Sequence, residues 1–144
     1  MPRDHQPLEH FQSPVTKGLD LPFPGAVRLG DTLYVSGQLG NRPGTLELVP
    51  GGIRAEARQA LDNMRAALEA AGSSLGRVAK CTIFLADMSD WPDFNEIYRD
   101  FFAELGDDLP ARSALAAAGL ALGARVELEC IAAAASAVVG SSRT

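Results

Sequence analysis

In Arg125-Val126-Glu127-Leu128-Glu129-Cys130-Ile131, late in the chain, polar and apolar side chains alternate as far as Cys130. A period of two is that of a strand with one face in a core, so Val126, Leu128 and Cys130 point to one side and Glu127 and Glu129 to the other. Just upstream, Leu109-Pro110-Ala111-Arg112-Ser113 places an arginine at the head of an apolar run, Ala114 to Leu122. A permanently charged guanidinium is costly to bury there without an anion. Two readings of Arg112 stand side by side. It can pair with Glu127 or Glu129 of its own chain, as a structural ion pair, or it can hold a small carboxylate while a nearby carboxylate directs a water at it.

Preceding segments supply the rest of a layered fold. Ala26 to Leu29 and Thr32 to Ser36 read as two strands around a tight Gly30-Asp31 turn, and Gly37 ends the second where a ligand or neighbouring backbone can come close. Residues 39–52 are rich in glycine and proline and read as a loop with a brief strand at Thr45 to Leu48, a candidate lid. From Ile53 to Ala71, apolar residues (Ala57, Ala60, Leu61, Met64, Ala67, Leu68) recur at helical spacing and Gly72 stops the run. Charges such as Arg54, Glu56, Arg58 and Arg65 fall on its solvated side. Val78 to Leu85 is a strand. A second helix from Trp91 to Leu105, with Asp90 as cap and Gly106 as stop, buries Trp91, Phe94, Ile97, Tyr98, Phe101 and Leu105; Asn95 reads as structural.

This order predicts an α+β layer, a mixed sheet with two helices on one face. Tyr34, Thr82, Phe84, Ala114 and Ile131 are expected on the other face, and an apolar surface of that kind is usually covered by self-association, with ligand clefts between copies. The 144 residues suit a single domain at 21–134, with a flexible N-terminal segment at 1–20 and a flexible tail at 135–144, fraying from Ala133.

Composition excludes several chemistries. A net charge of −5 argues against nucleic-acid or anionic-membrane surfaces, and no run approaches a membrane span, so the chain reads as cytoplasmic. Cys81 and Cys130 sit in strands without metal-ligand spacing and read as reduced core thiols. Both histidines, His5 and His10, lie in the N-terminal segment, which weighs against Ser-His or Cys-His nucleophiles and zinc sites.

The ordered set Leu33-Tyr34-Val35-Ser36-Gly37-Gln38, Gln59 to Met64, Asn95-Glu96-Ile97-Tyr98 with Phe101-Phe102, Pro110-Ala111-Arg112-Ser113 and Val126 to Ala132 resembles the YjgF/RidA family over about residues 20 to 134. The resemblance implies a chorismate-mutase-like homotrimer with ligand clefts at its interfaces. It also implies hydrolysis of enamines and imines of 2-oxo acids, of the 2-iminobutanoate and 2-iminopropanoate type, without a cofactor or metal. Non-catalytic carboxylate binding and ribonuclease activity are the alternatives. By match of position, Arg112 would grip the substrate carboxylate, Glu129 would serve the attacking water, Gly37 would form the cleft wall and Asn95 is a recurrent helix residue. Phe23 stands where many deaminating members have tyrosine, and Ala114 where many have cysteine, so these two substrate-side positions are expected to retune the site.

Overall fold

The computed structural model describes residues 7–135. Six strands, β1 (Leu8–Phe11), β2 (Ala26–Leu29), β3 (Thr32–Gln38), β4 (Val78–Leu85), β5 (Ala111–Ala116) and β6 (Val126–Ala133), form one sheet in the order β1-β2-β3-β6-β4-β5. Neighbours run antiparallel except β4 and β5, which are parallel. A parallel pair needs a long crossover, and α2 (Trp91–Phe101) provides it. Helix α1 (Gly52–Ala70) packs on β3 and β6 with α2 at its side. The mixed α+β layer agrees with the sequence reading.

Local chemistry accounts for the elements. Leu29 pairs with Thr32 across the Gly30-Asp31 turn, and Gly30 takes the left-handed φ of 61° that a two-residue hairpin requires at that position. At the end of α1, Ser73 N–H donates to the Leu68 carbonyl and Gly72 N–H to that of Glu69, which satisfies the last orphan acceptors. The apolar stripe of α1 is fully buried: Ala57, Ala60, Leu61, Met64 and Leu68 have no measurable exposure. On α2, Phe94, Tyr98 and Phe101 are buried, whereas Trp91, Ile97 and, beyond the helix end, Leu105 are only half-buried against the core.

Several expectations change. Residues 1–20 are not all irregular: Leu8–Phe11 pairs antiparallel with Ala26–Leu29, and Ser13, Val15 and Thr16 are buried beyond it. β1 has no buried face of its own, so its strand character comes from the edge of β2 rather than from its sequence pattern. Ala133 belongs to β6, and Ala134 N–H donates to the Asp31 carbonyl, so the end of the sheet is anchored where fraying was expected. His5 and the tail from residue 136 lie outside the described residues. The second helix ends at Phe101, followed by a 3-10 turn at Ala103–Leu105.

Asp90 does not cap α2 through its side chain; its carboxylate approaches Arg125 Nε at 3.3 Å. Glu56 is buried rather than solvated, because it accepts a hydrogen bond from Arg125 N–H at 2.9 Å. Thr45 to Leu48 forms no strand beyond a single bridge, Asn41 to Leu48. Buried Asn63 ties that loop to α1, with Nδ2 donating to the Leu39 and Asn41 carbonyls at 2.9 Å each.

Candidate active site

The parallel register of β4 and β5 decides where Arg112 points. Arg112 pairs with Cys81 and Ala114 with Ile83, both buried under the helices, so Arg112 and Ala114 take the helix side of the sheet. Ala114 is thus half-buried against the core and does not join the open face predicted for it. Tyr34, Thr82, Phe84 and Ile131 do share that open face, through the pairs Tyr34–Ile131, Thr82–Glu129 and Phe84–Glu127.

Arg112 lies over two rings of α2. Its Cζ is 5.0 Å from the centroid of Trp91 and 4.7 Å from that of Tyr98. Aromatic faces attract a guanidinium with about 0.5–2 kcal/mol and leave its N–H edges free. Among the described residues no carboxylate stands within 4.0 Å of it, so the ion pair with Glu127 or Glu129 does not form. Those glutamates lie across the sheet. Arg112 opens with Asn95, Tyr98, Leu109 and Pro110 into a cleft of about 240 Å³. Asn95, read as structural in the sequence, therefore borders the free guanidinium. The Tyr98 hydroxyl is buried near Cys81 without a hydrogen bond of ordinary geometry, and burial holds its pKa well above the usual phenol range. Burial likewise pushes the Cys81 thiol up to about 11, against the opposing pull of Tyr98 and Arg112, so it is not a thiolate nucleophile.

On the other face, Glu127 and Glu129 are not equivalent. Glu129 is exposed, whereas Glu127 is half-buried and abuts Gly37, where β3 bulges away from its register with β6 between Val35 and Gln38. A Cβ on Gly37 would lie 3.0 Å from Glu127 Cδ and overlap Oε2, so only glycine lets the carboxylate reach this position. Desolvation, and secondarily the charge of Glu129, raises the Glu127 pKa above the ordinary carboxylate value. Alternation in the sequence could not separate the two glutamates, since both fall on one face. The discriminating signal was the glycine at the strand end.

Gly37 also borders a second cleft, of about 270 Å³, together with Phe23, Leu21, Leu46 and Leu122. The sequence-predicted positions Phe23 and Gly37 therefore meet, and Arg112 is not with them. No residue lines both clefts. Among the described residues no group of three or more His, Cys, Asp or Glu could hold a metal ion. None of the described helices is long and apolar enough to cross a membrane.

This geometry has relatives. The family model described as Endoribonuclease L-PSP matches residues 20–134. The chain belongs to the YjgF/RidA family. It is 47% identical over 111 residues to the mouse protein named 2-iminobutanoate/2-iminopropanoate deaminase, covering 77% of this chain and 80% of that one. The human protein of the same name is 43% identical over 111 residues, covering 77% and 79%. Among solved YjgF/RidA structures, the E. coli YjgF gene product superposes with a TM-score of 0.79 at 35% identity, covering 87% of this chain and 98% of that one. E. coli TdcF with bound serine gives 0.80 at 33% identity, covering 88% and 99%.

Proposed function

We propose that the chain hydrolyses enamine and imine derivatives of small 2-oxo acids to the oxo acid and ammonia, at sites completed between copies in a homotrimer. The observation that carries this reading is the Arg112 guanidinium, moored on ring faces and unneutralised, in a chain whose relatives bear imine-deaminase names. The site has two halves on opposite faces of the sheet. The Arg112 half of one copy faces the Gly37 and Glu127 half of its neighbour, which the exposed apolar face of Tyr34 and Ile131 would bring together.

In such a cleft Arg112 binds the substrate carboxylate with paired N–H donors. The carbon of a protonated imine is already electrophilic, so placement beside an oriented water supplies much of the acceleration. Glu127 accepts a proton as the water oxygen bonds that carbon. Glu127 returns that proton to the nitrogen of the resulting carbinolamine; as the C–N bond breaks and ammonia leaves, Glu127 takes the hydroxyl proton, the carbonyl forms, and the proton departs with ammonia as ammonium. Glu127 takes the role that position-matching gave to Glu129, because it is the carboxylate beside the cleft wall.

The test follows 2-iminobutanoate, generated in situ, with wild type, Arg112→Ala, Glu127→Gln and Glu129→Gln. Arg112→Ala and Glu127→Gln are expected to lose about 100-fold or more, with Glu129→Gln close to wild type. A wild-type rate equal to the uncatalysed one refutes the reading; retained oxo-acid binding in that case identifies a carboxylate-binding module. The family model carries a ribonuclease name, but a net charge of −5 disfavours a polyanionic substrate.

A further inference from the structure

The cleft beside Gly37 holds more apolar surface than addition of water to a small imine needs. Phe23, Leu46 and Leu122 line it and in the single chain remain 45%, 53% and 47% exposed, which gathers three large apolar groups on one small surface. Each polar side chain in its wall already spends a donor within the chain. Thr16 Oγ1 donates to Gln12 Oε1 at 3.1 Å, Gln38 Nε2 to the Ser36 carbonyl at 3.0 Å, and Asn41 Nδ2 to the Thr45 carbonyl at 2.8 Å. A guest entering here meets mainly carbon.

A second observation converges on the same place. Leu122 is the single non-glycine residue with positive φ among the described residues, at φ 61° and ψ 14°. The left-handed region is strained for a side chain with a Cβ, and such strain persists mainly where function maintains it. Its neighbour Gly123, at φ 68°, shows that glycine is available to this turn. The leucine takes this backbone conformation at a position where its side chain walls the cleft.

We infer that this cleft is the subsite for a large apolar substrate side chain, so that the enzyme favours imines of branched-chain or aromatic 2-oxo acids, with Leu122 setting that preference. The inference rests on the deaminase reading and names its substrate class. The size agrees: about 270 Å³ is available, and a cavity of roughly 150 Å³ already accommodates benzene. The carboxylate end remains with Arg112 of the facing copy, and the imine carbon lies between.

The experiment compares imines generated in situ from leucine and from alanine by an amino-acid oxidase with catalase, using the full chain. Wild type is expected to show kcat/KM roughly tenfold or more higher for the leucine-derived imine. Leu122→Gly should lower that ratio by about fivefold or more, chiefly through KM, with Tm no lower than wild type because glycine accepts the backbone. Leu46→Ser should lower the ratio in the same direction. Equal use of both imines by wild type, or a ratio unmoved in Leu122→Gly, overturns the inference while leaving deamination intact. No turnover of either imine overturns the deaminase reading and this inference with it.

Discussion

Arg112 keeps a full charge available because what holds it is aromatic carbon rather than a carboxylate. A neighbouring glutamate would position the guanidinium as firmly, but it would compete with the substrate for the same N–H groups. The sequence displayed Arg112, Glu127, Glu129 and Gly37 without the relations between them. Whether Arg112 met its own glutamates depended on the parallel register of β5, which no local pattern encodes. The choice of Glu127 depended on a bulge that presses Gly37 against one carboxylate. Burial has a titration consequence. Since the folded-state pKa of Glu127 is raised, its carboxylate forms at higher pH than an ordinary glutamate's, so the acidic limb of kcat/KM should be displaced upward. For stability the sign is opposite: the group's contribution is complete below its unfolded pKa and is lost as pH rises through the folded one. In Glu129→Gln the limb should shift toward lower pH, because a repelling charge is gone; an unmoved limb assigns the titration to another group.

At the scale of elements, the strongly periodic segments were readable and the tertiary ones were not. Both helices, the hairpin, β4 and β6 carry their own patterns of three-to-four or two. β1 carries none, and three prolines in the first fourteen residues argued against it; its pairing with β2 supplies what its sequence lacks. Glu56 reads as part of the solvated face of α1 and no apolar period marks Asn63, yet each is buried because a backbone group from elsewhere needs it. Asn63 fastens the loop that shapes the Gly37 cleft. Replacing it with leucine leaves the Leu39 and Asn41 carbonyls without their donor, at a cost of about 1–3 kcal/mol. Chemical denaturation should show that loss, and KM for imines should rise with it; a variant as stable as wild type would mean that the loop is held by its other bonds. The exposed ion pairs between α1 and α2, such as Arg58 to Asp100 at 2.6 Å, are a lesser support.

For the whole molecule, the separation of the two half-sites has a direct test. If the catalytic pair is drawn from neighbouring copies, then co-refolding Arg112→Ala with Glu127→Gln chains creates some interfaces with both groups intact. Random mixing in equal amounts should restore about a quarter of the wild-type rate, although each variant alone is inactive. No recovery in demonstrably mixed assemblies would place both groups in a site within one chain. Light scattering on the wild type should give three copies, and Ile131→Glu, at the exposed face, should shift the mass toward the single chain. The open apolar face was legible in the alternation of β3, β4 and β6; the identity of what covers it was not, because a strand pattern records that a face is dry and not against which partner. The division across the sheet also reaches into how such a protein can diversify. Mutations that reshape which guests fit and mutations that touch the hold on their charged end fall on separate surfaces, so a lineage can trade one diet for another while its anchor stays as it was.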